Sequence, residues 1–352
     1  MQLPPFRSWI FLPAVALIVA AAAAPYAEVI DDIYTARIAV ADRSPAALRS
    51  ARREGLAQVL VKASGDGKAL ARPEAAEAVG AAERYLLRYS YEEDGDDGSL
   101  TLSLDYDERA VQQILRDARL PLWTANRPPI LAWLLVSDTK GRRFVGAGAM
   151  PDETDVLDAR FRERGLPLQL PLFDLEDMAV LSPGAAWRQS SPAIVAASRR
   201  YRGAEILAGR VAHTSTGRWV GDWRFLYEGR WLTRPVATDS YDEFVAAGAD
   251  LAASTISGRY AVTVLEGGDQ RHRVTLRGVR SYGDYVSAQR ALGGLEAVRR
   301  VVPERLVGDL VSLRIEADAD LVQLGRIIEL DERFVPTPAG VGESGLFYEW
   351  IQ

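Results

Sequence analysis

His213 and His272 are the only imidazoles in this chain of 352 residues, and cysteine is absent. A histidine beside a hydroxyl can act as the base of a nucleophilic triad, and Thr214, Ser215 and Thr216 follow His213 directly. Neighbours at one strand end do not reach triad geometry, and there is no G-x-S-x-G elbow. Thiol catalysis and disulfides are excluded without cysteine, and two isolated histidines outside an H-E-x-x-H arrangement supply zinc poorly. Glu92, Glu93, Asp94, Asp96 and Asp97 offer oxygen ligands to calcium but lack the spacing of an EF-hand, so a solvated turn is expected. Ser137 to Lys140 formally matches S-x-x-K, yet it follows a strand instead of opening a helix, and its companion motifs are missing. Gly65-Asp66-Gly67-Lys68 contains a Gly-Lys step without Walker spacing. These residues therefore predict no catalytic, cofactor-binding or metal-ligating side chain, and no cofactor.

The remaining chemistry is aromatic. Residues 204–227 read as two strand-like runs around a Ser-Thr-Gly turn, and the second run places Trp219, Trp223, Phe225 and Tyr227 on one alternation, with Trp231 just beyond. Trp and Tyr combine apolar area with a polar tip, which suits a partner groove or a glycan. On an alternating strand the same residues also serve as core. Both roles stay open for Trp219, Trp223, Phe225, Tyr227 and Trp231.

Several elements must position this hairpin. Residues 1–24 carry Arg7, an apolar run from Trp9 to Val19 and an alanine-rich stretch, the pattern of a signal peptide or an uncleaved N-terminal anchor. The folded part is therefore expected outside the cytoplasm, in the periplasm, with an inner-membrane anchor as the variant. A net charge of -6 with scattered basic residues gives no global attraction for nucleic acid. The length favours two or three domains.

The pattern predicts a signal or anchor over 1–27, followed by an N-terminal α+β domain over 28–125. In it a strand within 29–40 precedes a helix capped by Asp42 or Ser44, opened by Pro45 and stopped at Gly65 and Gly67. A central α/β domain over 129–256 begins with the continuous apolar run 130–136, which reads as a strand covered on both faces. A C-terminal α+β unit over 257–335, ferredoxin-like or related, opens with a hairpin of runs 259–265 and 272–278 around Gly267 and Gly268. An extended tail covers 336–352. The fold class is thus multidomain α+β and α/β, built of small mixed-sheet domains.

The phrase REGLAQVLVKASG at 53–65, the ILAWLLV run at 130–136 and the hairpin of 204–231 together resemble DUF2066, a family of uncharacterised proteobacterial envelope proteins. That resemblance implies an exported or membrane-associated protein and carries no catalytic residue. The expected function is a non-enzymatic periplasmic interaction or envelope-assembly module. Its expected partner is an envelope protein, with glycan or peptidoglycan as a second class, no nucleic acid, and membrane contact through the N-terminal segment if that is uncleaved. The rival reading is a hydrolase or carbohydrate-active enzyme using paired carboxylates.

Overall fold

The computed structural model describes residues 28–94, 99–146, 150–201, 204–262, 270–338 and 344–351. The expected leader, Asp96 and Asp97 of the acidic turn, the turn at Gly267 and Gly268, and Gly340 and Gly342 of the tail lie outside the described residues.

The N-terminal unit contains β1 (Glu28–Val29), β2 (Thr35–Val40), α1 (Pro45–Ser64), α2 (Pro73–Gly80), β3 (Leu86–Asp94), β4 (Ser99–Tyr106) and α3 (Glu108–Asp117). Ser44 caps α1 by accepting from the Ala47 amide, Pro45 occupies the first turn, and Gly65 ends the helix at φ 70. Strands β2, β4 and β3 form an antiparallel sheet in that order. Its Ile38, Leu102, Leu104 and Tyr106 pack with Leu56, Val59 and Leu60 of α1 in one core.

A short strand, β5 (Asn126–Arg127), pairs with β1 and leads into the central unit. That unit comprises β6 (Ile130–Asp138), β7 (Gly141–Phe144), α4 (Pro151–Glu163), β8 (Leu168–Gln169), α5 (Leu175–Val180), α6 (Pro183–Trp187), α7 (Ser191–Ser198), β9 (Glu205–His213), β10 (Trp219–Tyr227), β11 (Arg230–Thr238) and α8 (Tyr241–Tyr260). The sheet runs β11-β10-β9-β6-β7, with β6 and β9 parallel and β8 also on β6. Period two divides the apolar run of β6 between two layers. Ile130, Ala132, Leu134 and Val136 share a core with Leu157 and Phe161 of α4 and Phe244 and Val245 of α8, while Leu131, Trp133 and Leu135 join Leu181, Ala186 and Ile194 of the α5 to α7 side.

The C-terminal unit comprises β12 (Gln270–Arg277), α9 (Tyr282–Gly293), β13 (Val298–Val307), β14 (Leu310–Ala317), α10 (Leu321–Ile328), β15 (Phe334–Pro336) and β16 (Leu346–Trp350), in the sheet order β13-β14-β12-β16-β15. The first five elements follow a ferredoxin-like course. β16 inserts between β12 and β15, parallel to β12 and antiparallel to β15. The stretch expected as a tail thus supplies an inner strand, and Tyr348 and Trp350 belong to the core. The expected strand at 259–265 is also revised, because α8 continues through Tyr260. The molecule is a multidomain α+β fold of several small sheets.

The units meet at a buried arginine. Arg127 is fully buried and stacks on the Trp123 ring, 3.7 Å from its centroid. Its guanidinium donates to Lys62 O of the N-terminal unit at 2.9 Å, to Gly165 O of the central unit at 2.7 Å, and to Thr124 O and Trp123 O of the linker at 3.0 and 3.1 Å. Burial pushes its pKa down to about 9. Beside it the buried Lys62 donates to Asp32 O and Thr35 O at 3.0 Å each, and burial brings its ammonium down to about 8. Glu296 of the C-terminal unit accepts the Ala125 amide with both carboxylate oxygens at 3.0 Å, so the linker is held from three sides. Gly65 and Gly165 allow the close approach, since a Cβ would fall 2.2 Å from Ser257 at the first and 2.3 Å from Arg127 at the second.

Candidate functional site

The segment from Leu172 to Val180 combines outward apolar side chains with an inward polar anchor. Leu172 is 65% exposed and Leu175 90%, while Met178, three positions along α5 on the same helical face, is 37% exposed. Large apolar side chains normally lose water contact when a chain folds. Here the helix α5 and the residue Leu172 just before it expose them instead.

The anchor is Asp177, whose side chain is completely buried. Its Oδ2 accepts from Tyr201 OH at 2.5 Å and from the Phe173 amide at 2.9 Å, and its Oδ1 lies 3.3 Å from Arg200 Nη1. Tyr201 OH in turn accepts the Leu172 amide at 2.8 Å. Arg200 also grips Asp174, the N-cap of α5, with two nitrogens at 2.8 and 3.0 Å. That pairing holds the Asp174 carboxyl below the usual carboxylate range. Burial, reinforced by the bond to Asp177, pushes the Tyr201 phenol up to about 12, so it remains a proton donor at neutral pH.

Phe173 links anchor and surface. Its φ of 52 is uncommon for a bulky residue, a conformation that must be enforced by its surroundings. The amide bond to Asp177 and packing against Trp133 and Phe144, with centroids 5.7 and 5.1 Å away, enforce it. The result is a rigid shoulder that turns Phe173 inward and flanking leucines outward. Sequence reading missed it, although Asp174 three residues before Asp177 is an N-cap pattern that could have located α5.

The aromatic hairpin residues occupy different environments. Trp223 and Phe225 are fully buried, and Trp223 Nε1 donates to Phe244 O at 2.8 Å while its ring stacks on Phe244. Trp219 and Tyr227 are partly buried on the same core, with Trp219 stacked on His213 at 4.6 Å. Trp231 lies across the sheet, on the α5 to α7 side, where Arg224 sits 4.6 Å from its ring centroid. The five therefore form no common outward face: four line the interior and Trp231 stands apart.

The other candidates resolve into turns and local contacts. His213 is exposed at a strand end, and Thr214 bonds to Thr216 and Arg218 within the turn. His272 Nε2 lies 2.8 Å from Ala319 O and so carries its proton toward that carbonyl. Asp138 of the S-x-x-K stretch accepts the Lys140 amide and a forked pair of bonds from Arg143, forming the β6–β7 turn. Gly65 O receives Arg164 Nη2 and Ser257 Oγ, so the Gly-Lys step belongs to a contact between units. Glu92 and Glu93 face Arg37 and Arg43. Among the described residues no group of three or more His, Asp or Glu is placed to hold a metal ion.

The small mixed sheets and their helices make this a multidomain α+β protein. Residues 27–124, the N-terminal unit, match the family described as "Domain of unknown function (DUF8605)". This match overturns the resemblance to DUF2066; the phrase at 53–65 that carried it is a capped helix and its closing glycine turn, a local pattern many folds share. Among the described residues no helix is long and apolar enough to cross a membrane, and residues 1–27, on which the expectation of membrane contact rested, lie outside them. No curated protein matches the chain. A solved structure described as "Crystal structure of uncharacterized protein" is 14% identical, covers 37% of this chain and 93% of its own, and has a TM-score of 0.16, too low to support an argument.

Proposed function

We propose that this chain is an exported, non-enzymatic interaction module that offers the α5 shoulder to a partner protein of the periplasm or cell envelope. The observation that carries the reading is the pairing of outward Leu172 and Leu175 with the buried Asp177 anchor beneath them. An apolar surface held in one conformation loses little further entropy when it docks, and its burial is favourable by about 25 cal/mol per Å2. The signal-like pattern of residues 1–24 supports the compartment.

A photoreactive side chain placed at position 175 of the full-length protein in its native cells tests this reading. A discrete adduct with one protein, absent when the same probe replaces exposed Glu228, is the expected result. Labelling indistinguishable between the two positions would remove the shoulder as a contact surface.

A further inference from the structure

Both helices of the C-terminal unit pack on one side of its sheet, against Val274, Leu276, Leu313 and Ile315. The opposite side is uncovered and carries arginines in cross-strand rows. At one end Arg271 and Arg300 stand in register with Glu316, and in the next row Arg273 and Arg314 each lie 3.3 Å from Glu304. At the other end the matching stops. Arg277 and Arg305 make no hydrogen bond or ion pair among the described residues, and both line a groove of about 280 Å3. Arg277 is in register with Glu349, whose exposed carboxylate makes no ion pair with it, so the groove retains positive charge.

The groove floor complements those charges. Thr275 and Ser312 oppose each other with hydroxyl oxygens 3.4 Å apart, Arg305 continues their row on β13, and Phe347 flanks Thr275 on β16. Arg277 and Arg305 rise from strands on either side of β14, two strands apart and two residues offset along them, about 12 Å on the diagonal, and long flexible guanidiniums at that spacing can close on one anion. Phe347, Val307 and Leu310 provide an apolar wall beside them.

We propose that this groove is a binding site for a small oxyanion-bearing ligand, a phosphate or a carboxylate attached to a flat apolar body. Arg277 and Arg305 fork the anion, the Thr275 and Ser312 hydroxyls donate to it, and the apolar body rests on Phe347. The site lies on a different unit from the α5 shoulder, so either can fail without the other.

Calorimetric titration of the full-length protein with phenyl phosphate, benzoate and inorganic phosphate is the test. At least one of the two ring-bearing probes should bind saturably at one site and more tightly than inorganic phosphate. Preference for phenyl phosphate assigns a phosphate ligand, and preference for benzoate a carboxylate. Arg277→Gln and Arg305→Gln should each weaken that binding about tenfold, the loss of one charge-assisted contact. Arg271→Gln, at the far end of the same face, should leave it unchanged. Phe347→Ala should weaken the ring-bearing probe and spare inorganic phosphate. No saturable binding of any probe at millimolar concentration, ring-bearing probes no tighter than inorganic phosphate, or binding that survives both arginine changes would overturn the assignment.

Discussion

Replacing Arg127 by methionine removes a side chain that bonds to the N-terminal unit, the linker and the central unit together. Two opposing quantities set the outcome. Holding the cation out of water lowers its pKa from 12.5 to about 9, a burden of about 5 kcal/mol that the variant no longer carries. Against it stand four bonds of 3.1 Å or shorter from a charged donor at roughly 2 kcal/mol each, a fifth to Arg164 O that adds little at 3.4 Å, and a cation–π contact of about 2 kcal/mol on Trp123. The bonds win, and the variant, which leaves those buried carbonyls without their donor, should be about 3 to 5 kcal/mol less stable. Urea unfolding at pH 7.5, followed through tryptophan fluorescence, measures this directly. Because Trp123 lies under the guanidinium, its signal should change at lower urea than the far-ultraviolet dichroism in the variant. The sign with pH is also fixed: above pH 9 the unfolded chain binds this proton more tightly than the folded one, so the group's contribution to stability rises from pH 9 toward 12.5, and the variant lacks that rise. A variant within 1 kcal/mol of wild type, with coincident transitions, would refute the claim that Arg127 joins the units.

Lys62 titrates at about 8 in the folded state against 10.5 when free, so its contribution to stability should rise between those values; the stability of wild type relative to Lys62→Met should climb with pH by up to about 3 kcal/mol in urea titrations at pH 7.5 and 10. Tyr201→Phe leaves the Leu172 amide without its partner and Asp177 Oδ2 with only the Phe173 amide, and should cost about 1 to 3 kcal/mol, with hydrogen exchange quickening at Leu172 and Phe173 before the rest of the central unit. Gly248→Ala would place a Cβ 2.4 Å from the Trp223 ring, an overpacking of about 1 to 3 kcal/mol that thermal melts would register and that Trp223→Phe should partly relieve.

Strong local rules made much of the fold legible. Ser44, Pro45 and Gly65 bracket α1, and the uninterrupted apolar run of β6 announces a strand covered on both faces. Edge strands were less legible. β11 carries Arg230, Arg234 and Pro235, and β13 carries Arg299, Arg300, Pro303 and Glu304, residues that discourage pairing on an open edge and so weaken the strand pattern. β16 was missed because five residues among prolines and glycines become a strand only when β12 and β15 are available on either side.

The sites depended still more on tertiary context. Nothing local distinguishes Arg127 from the exposed arginines; its burial exists only when Lys62 O, Gly165 O and the linker carbonyls converge. The aromatic alternation at 219–227 was readable, but which face is covered follows from α8, where Phe244 meets Trp223. Nothing local in the sequence marks Leu172 and Leu175 as outward-facing. Asp177 and Tyr201, 24 residues apart, turn them outward.

The most direct test of the account is affinity capture from native cells with wild-type protein and the Leu172→Asp/Leu175→Asp variant, matched for thermal stability. Both side chains are exposed, so the variant should fold as wild type does. One protein partner recovered with wild type should be lost with the variant and retained with Trp231→Ala, a change outside the shoulder. An identical set of captured proteins for wild type and variant, or no specific partner for either, would contradict an interaction role for the shoulder.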